Sequence, residues 1–172
     1  EEIRDFGNEA DSKIQNLALE IFKDQDLYEK FNEVETKNLD EESKTFYRDL
    51  EIDFKDAGHG LSGEKKGRLT EIEKKLIDLS ISFSENIAKD KTEVMFLEDE
   101  LKGLSQNELK NLKKNNDSFV ITMAYPDINA VMENCSVRKT REIVWKAFNN
   151  RAVKENSPIL EEAVQLRNEK AL

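Results

Sequence analysis

The sequence predicts a mainly α-helical protein, and three observations lead to that prediction. Apolar residues recur at spacings of three and four along most of the 172 residues, as they do on one face of an α-helix. Glycine and proline, which interrupt helices, number only six and two. Strand-like runs occupy only two short segments, at about 92–97 and 118–123. We therefore expect antiparallel helical hairpins with one long helix and a small two-stranded antiparallel element.

The first 60 residues predict three helices. The first is expected to break or bend near Lys23, and Asp26 with Glu29 forms a capping box for the second. Asp40 caps the third helix, and Gly58 supplies the left-handed residue that ends it. The first helix carries six apolar residues on one face, which we call the N-terminal stripe: Ile3, Phe6, Ala10, Ile14, Leu17 and Ile21.

Residues 63–91 have the most regular pattern in the chain. It predicts a helix of about 29 residues, or about 43 Å at a rise of 1.5 Å per residue. Ile77 and Ile81 widen its apolar face beyond a coiled-coil seam, which favours packing inside a helical domain over a fibrous dimer. The apolar residues of this face are Leu69, Ile72, Leu76, Leu79, Phe83 and Ile87.

The period changes after this helix. Segments 92–97 and 118–123 are rich in strand-forming residues, and Ser105 with Glu108 predicts a capped short helix between them, ending near Lys114. Two antiparallel strands are marginal in isolation, so we expect the pair to pack on helices.

Three more helices are predicted towards the end of the chain. One begins at Pro126, one is capped by Ser136, and the last begins around residues 157–158. No stop signal precedes Leu172, so we expect one mostly helical domain over residues 1–172 whose carboxy-terminal end is truncated. The residues of the middle helix available for burial are Val144, Trp145, Ala147 and Phe148.

Composition and charge disfavour several classes of function. Residues 1–61 hold 18 acidic and 8 basic side chains and carry the whole net charge of −10, because residues 62–172 hold 19 of each. Such a surface repels nucleic-acid phosphates and acidic lipids. The longest apolar run is only Val94–Leu97, whereas a membrane span needs roughly 20 residues. We therefore expect neither a nucleic-acid partner nor a membrane partner.

His59 and Cys135 are the candidates for metal binding or nucleophilic catalysis. A zinc site needs three or four ligands, and these two residues lie far apart in the sequence without motif spacing around either. We expect His59 to stabilise a turn or face solvent, and Cys135 to be a buried thiol and not half of a Cys/His pair. A lone cysteine forms no internal disulfide and fits a reducing compartment.

Two acidic pairs and one glycine motif have spacings that also occur in functional sites. Glu41–Glu42 and Asp99–Glu100 could serve as general acid and base, but 37 acidic residues produce many such neighbours, and we expect solvated faces. Gly58-x-Gly60-x-x-Gly63 has the dinucleotide-binding spacing but joins two helices, without the preceding strand that the motif requires. No catalytic, cofactor-binding or metal-binding residue is assigned in this chain.

Several segments, taken in their order and spacing, carry a resemblance to a known family. They match well over about 50–172 and more loosely before it. The residues that carry the resemblance are the turn 57–61; Arg68, Leu69, Ile72, Leu76, Leu79, Phe83 and Asn86; the turn with Gly103 and Leu104; Tyr125 and Pro126; Thr140, Arg141 and Arg151; and Asn156, Ile159, Leu160, Glu162, Leu166 and Arg167. The chain resembles the amino-terminal helical region of the thimet oligopeptidase and neurolysin (saccharolysin-like) family of zinc metallopeptidases.

The resemblance implies a parent enzyme that hydrolyses short peptides at a zinc held by a His-Glu-x-x-His helix and a later Glu. This chain has one histidine and no such motif, so no catalytic role can be transferred to it. The resemblance implies a channel-wall segment whose partners are peptide substrates and the missing catalytic domain of the same polypeptide. It also implies a cytoplasmic parent, with the mitochondrial intermembrane space as an alternative. A different reading remains open, a stand-alone helical interaction module without enzymatic activity.

Overall fold

The computed structural model describes residues 2–171 and is mainly α-helical, as predicted. The described residues form eight α-helices: α1 (Glu2–Lys23), α2 (Gln25–Asn32), α3 (Glu41–Asp56), α4 (Gly63–Lys89), α5 (Gln106–Asn111), α6 (Tyr125–Asn134), α7 (Arg138–Asn149) and α8 (Val153–Ala171). They form three strands: β1 (Glu93–Phe96), β2 (Lys113–Asn115) and β3 (Ser118–Thr122). Short 3₁₀ turns cover Thr36–Asn38 and Glu98–Leu101.

The chain folds as two compact units, whose boundaries lie inside α4 and α8. The first unit contains the residues up to Ser82 together with those from Ile159 onward, and the second contains Phe83–Pro158. Among residues 2–171, no helix is both long and apolar enough to cross a membrane.

Local side-chain caps set the helix ends of the first unit. The break after Lys23 is confirmed, but Asp24 and not Asp26 caps α2, because its carboxylate accepts a hydrogen bond from Leu27 N at 2.7 Å. The predicted cap of α3 is confirmed, since the Asp40 carboxylate accepts from the backbone N–H of the third helical residue.

The core of the first unit contains buried residues of α3 and α4. Phe54, Leu69, Ile72 and Leu79 are its large buried apolar residues. The long helix begins at the predicted residue and ends two residues earlier than predicted, at Lys89. The remaining residues of its apolar face are only partly buried: Leu76, Phe83 and Ile87.

The sheet has three strands, in the order β1-β3-β2, so the prediction of a two-stranded element was incomplete. β1 pairs antiparallel with β3 as predicted, with Val94 opposite Ile121. The additional strand β2 lies where the short helix α5 was expected to continue to Lys114. All three β2 residues are polar and exposed, so no alternating pattern marks them. A two-residue turn, with Asn116 at a φ of 53°, pairs β2 with β3.

The core of the second unit is formed by one face of the sheet, α5, α6 and α7. Within α7, Val144 is fully buried. Trp145 was expected to be available for burial, but it is largely exposed and does not join the core. The predicted cap Ser136 lies one residue before the actual N-cap position of α7, Val137, and its hydroxyl donates to the Lys102 carbonyl instead. The core cluster consists of Phe96, Leu101, Leu104, Leu109, Leu112, Phe119, Ile121, Met123, Ile128, Val131, Cys135 and Val144.

The last helix begins four residues before the predicted start. Ala152 adopts a φ of 51°, which ends the helical conformation of the backbone after α7. Asn156 N then donates to the Ala152 carbonyl at 2.8 Å, at the start of α8. Pro158 consequently lies inside the helix. Its missing N–H leaves the carbonyl of Lys154 without a helical donor, which is tolerable because Lys154 is exposed to water.

Candidate functional site

His59 lies in the turn between α3 and α4 and is buried by aromatic rings. Its Nε2 is 2.8 Å from the Phe22 carbonyl oxygen, and because a carbonyl only accepts, Nε2 carries the proton that is donated. The ring of Tyr28 stacks on the imidazole at 4.0 Å, and Phe54 meets it edge-on at 5.6 Å. The structure thus places His59 as a residue that stabilises the turn.

The glycines around His59 serve the same turn. Gly58 and Gly60 have φ angles of 97° and 96°, which favour glycine. A Cβ on Gly58 would lie 2.8 Å from Leu69 Cδ2. The Gly58-x-Gly60-x-x-Gly63 spacing therefore reflects a tight helix–helix connection, with no preceding strand.

A buried carboxylate joins three helices of the first unit. Glu73 of α4 lies with its Oε2 2.7 Å from Lys23 Nζ of α1 and its Oε1 2.9 Å from Lys170 Nζ of α8. Glu73 is buried, and Lys170 is the most exposed of the three side chains. A buried charge that loses its partners is costly, so the arrangement fixes these helices in the first unit. Sequence reasoning missed it because the three residues are far apart and lie on no common motif.

A candidate binding site in the first unit is a cavity of 430 Å³ beside this cluster. Its floor is apolar and its rim carries four cationic and two acidic side chains. The residues that line it are Lys55, Asp56, His59, Leu61, Lys65, Arg68, Leu69, Ile72, Glu169 and Lys170. Apolar walls with a few polar groups at the rim are typical of small-ligand and peptide sites.

One rim cation is held in place by a two-point ion pair. Arg68 Nε and Nη2 donate to the two carboxylate oxygens of Glu169 at 2.7 and 2.8 Å, and Nη1 donates to Glu71. The hydrogen bonds to Glu169 raise the pKa of Arg68, and the hydrogen bond from Arg68 lowers the pKa of Glu169. No ion-pair partner of Lys65 is found among residues 2–171. Lys65 is therefore the rim cation best able to attract a carboxylate.

A smaller, more open cavity of 340 Å³ lies in the second unit beside Asp90. Burial acts to raise the pKa of Asp90, but hydrogen bonds from Thr92 and Ala152 and the charge of Arg151 outweigh it, so the pKa is lowered. The Asp90 oxygens accept from Thr92 N and Ala152 N, both at 2.8 Å. This carboxylate holds the backbone ends of α4 and α8 and is not free for acid–base chemistry.

The other residues that the sequence analysis considered as site candidates make contacts that maintain the fold or lie on the surface. Cys135 is buried, and its thiol donates to the Glu100 carbonyl at 3.4 Å. Glu41 and Lys44 form an exposed pair, and the Glu100 carboxylate accepts from Leu97 N at the start of a 3₁₀ turn. Within residues 2–171, no group of three or more histidine, cysteine or acidic residues is arranged to hold a metal ion.

Several of the residues that carry the family resemblance make buried polar contacts in the second unit. Asn156 is buried; its Nδ2 donates to the Phe83 carbonyl at 3.1 Å and its Oδ1 accepts from Asn86 at 2.9 Å. Thr140 donates to the Glu100 carbonyl at 2.7 Å. A Cβ on Gly103, whose φ is 105°, would lie 2.2 Å from the Asn134 carbonyl oxygen. The hydrogen bonds of Asn156 and Thr140 and the close approach at Gly103 join backbone segments of the second unit.

Comparisons with known proteins give a consistent result. The chain is 32% identical to the thimet-like oligopeptidase of Dictyostelium discoideum over 99% of its own length and 27% of that protein. It is 31% identical to the probable thimet oligopeptidase of Arabidopsis thaliana, over 96% of this chain and 24% of that protein. It is 32% identical to saccharolysin of Saccharomyces cerevisiae, over 99% of this chain and 26% of that protein. No family model matches the chain. The chain spans about a quarter of the length of these relatives.

Proposed function

This chain is homologous to the amino-terminal region of the thimet oligopeptidase family, and from that premise we propose that it is a non-catalytic segment of a longer peptide-hydrolysing enzyme. The similarity to proteins named as oligopeptidases carries the proposal, because it runs along 99% of this chain. The hydrolytic chemistry then belongs to residues outside this segment.

The zinc expected for the parent has no ligand set in this chain. The sequence contains one histidine, which is engaged with the Phe22 carbonyl, and no His-Glu-x-x-His. Because zinc is bound by three or four protein side chains, the residues present do not fit a zinc centre. We therefore derive no step of hydrolysis through them, and we expect the zinc ligands in the catalytic domain of the same polypeptide.

The role proposed for this segment is to form one wall of the channel that limits substrates to short peptides. The first-unit cavity supports this role, since Leu61, Leu69 and Ile72 offer an apolar surface and Lys65 a cationic rim. Every linear peptide carries a carboxylate at its end, and a lysine beside an apolar floor suits that chemistry. In this role the segment controls substrate access and leaves the chemical step to the catalytic domain.

A charge reversal at the cavity rim tests the wall role in the complete enzyme. Lys65→Glu should raise KM and change the preference for peptide length, while kcat on the shortest substrate stays within about a few-fold, because the wall does not contribute to the transition state. The matched control is Lys37→Glu, an exposed residue of the same unit that does not line the cavity. A large loss of kcat in Lys65→Glu, with folding and metal content unchanged, would contradict the proposal.

The alternative function is a stand-alone helical interaction module. The sequence that follows this segment in the gene separates the two: a downstream His-Glu-x-x-His supports the peptidase, and a gene that ends without one supports the module.

We also propose that the parent acts in the cytoplasm, with the mitochondrial intermembrane space as the second location. The single cysteine, which has no disulfide partner in the chain, supports a reducing compartment. Fractionation of cells followed by detection of the complete protein distinguishes the two.

A further inference from the structure

The N-terminal stripe of α1 is exposed along almost its whole length. The exposed fraction falls from 89% at Ile3 to 47% at Ile21. The other exposed members of the stripe are Phe6, Ile14 and Leu17. Five large apolar side chains in a row on one helix form a contiguous patch of the kind that marks an interaction surface.

The stripe points away from the unit to which α1 belongs. α1 packs on α2 and α3, and its half-buried residues are mostly polar or small. At about 100° per residue, the stripe and the half-buried residues are centred roughly 180° apart around the helix. Apart from Ala10, which belongs to the stripe, the half-buried residues are Asn8, Ser12, Gln15, Asn16, Leu19, Phe22 and Lys23. Most of the apolar face of the helix therefore turns outward.

The charges along the stripe argue against a second copy of this chain and against a membrane surface as the binding partner. One border of the stripe carries three acidic residues, Glu2, Glu9 and Glu20. The same border has one basic residue, Lys13, which forms an ion pair with Glu9. A second copy would bring the same acid-rich border against the first, on a chain whose net charge is −10. Helices that lie on membranes carry mostly lysine and arginine on their polar face, whereas α1 has five acidic and three basic residues.

The relatives point to a third occupant. The matched region makes up only 27% of the Dictyostelium protein and 26% of saccharolysin, and the match covers 99% of this chain in both. Nearly three quarters of each of those polypeptides therefore lies outside the region that contains the counterpart of α1. In a protein built like them, that remaining polypeptide is covalently joined to this region, which gives it a high local concentration at the stripe.

We propose that the N-terminal stripe is the docking surface for the remaining polypeptide of the complete protein, through an apolar face rimmed by lysine and arginine. The inference rests on the proposed function only in requiring a longer chain. Docking removes the apolar side chains from water and places basic groups opposite the border of Glu2 and Glu20.

Hydrogen exchange on the complete gene product tests the docking. The backbone amides of residues 3–21 should exchange at least about tenfold more slowly in the complete protein than in the 172-residue chain. Ile14→Asp should abolish this added protection. Ile52→Asp on α3 is the matched control, since both isoleucines are largely exposed in this structure, at 66% and 55%, and it should leave the protection of α1 unchanged.

Each outcome separates the docking from the proposed function. Unchanged exchange of residues 3–21 in a complete protein that hydrolyses peptides overturns the docking and leaves the function intact. Protection in a complete protein that hydrolyses no peptide overturns the function and leaves the docking intact. Sedimentation of the 172-residue chain as a dimer that Ile14→Asp dissociates assigns the stripe to a second copy and overturns the docking.

Discussion

At the scale of single residues, Asn156 is a buried polar side chain whose hydrogen bonds should contribute to stability. Asn156 donates to the Phe83 carbonyl and accepts from the Asn86 amide, and removing its buried side chain breaks both hydrogen bonds. Asn156→Ala should lower the free energy of unfolding by about 1–3 kcal/mol. Urea denaturation measures the change.

The control for this prediction is Asn149→Ala. Asn149 also donates to a backbone carbonyl, that of Trp145, but it is exposed, so water replaces the lost bond. Its effect should stay below about 0.5 kcal/mol. Equal effects of the two substitutions would show that burial of the Asn86–Asn156 contact does not contribute to stability.

The cap of α5 gives a pH dependence. The Glu108 carboxylate accepts from Ser105 N at 2.6 Å and from the Asn134 side chain, and these hydrogen bonds lower the pKa of Glu108. The Glu108 carboxylate therefore binds its proton more tightly in the unfolded state than in the folded state. Ionised Glu108 stabilises the fold at pH values above its unfolded pKa, and this stabilisation is lost as the pH falls through its lower folded pKa. Glu108→Gln should therefore be less stable than the wild type near pH 7, and the difference should shrink towards about pH 3.

Urea midpoints of the wild type and Glu108→Gln at the two pH values measure this dependence. A difference that persists undiminished in acid would mean that the ionised carboxylate is not what the cap requires.

At the scale of elements, α4 carries most of the large buried apolar residues of the first unit. Leu79 is buried on its apolar face, so Leu79→Ala removes packed atoms and should cost about 2–5 kcal/mol of stability. Leu160→Ala on the exposed side of α8 should cost under about 0.5 kcal/mol. Thermal unfolding of both variants checks the face that is assigned to the core, and comparable losses would show that it is the wrong one.

Element types were predictable where the apolar period or a side-chain cap was strong. Asp40, Ser105 with Glu108, and Gly58 lie at the predicted ends because each end is set by a local hydrogen bond or backbone angle. β2 and the start of α8 were missed because long-range partners set them: β3 pairs with an all-polar strand, and Asp90 binds the N–H of Ala152.

At the scale of the whole molecule, the sequence motifs that carry the family resemblance pointed to the relatives that the comparisons found. The cavity and the Lys23–Glu73–Lys170 cluster could not be predicted, because each brings together residues that lie far apart in the sequence. The cavity joins residues of α3, α4 and α8, and the cluster joins residues of α1, α4 and α8. The outward orientation of the N-terminal stripe was also unpredictable, because an amphipathic pattern indicates that a face is buried and does not identify its partner.

The uneven charge gives a prediction for the complete enzyme. The excess of 18 acidic over 8 basic residues in positions 1–61 should attract basic peptides and raise their kcat/KM relative to acidic peptides of the same length. Because the Debye length falls to about 8 Å at physiological ionic strength and about 3 Å at 1 M, this preference should weaken as salt is added. A preference that is unchanged by salt would exclude long-range steering by this region.

The central claim is that this chain is a non-catalytic part of a peptide-hydrolysing enzyme. Hydrolysis of a quenched fluorescent peptide, measured in parallel on the 172-residue chain and on the complete gene product with metal analysis of both, tests it most directly. We expect turnover and bound zinc in the complete product, and neither turnover nor stoichiometric zinc in the 172-residue chain. Turnover by the 172-residue chain that survives repurification, or a complete product that cleaves no peptide, would contradict it.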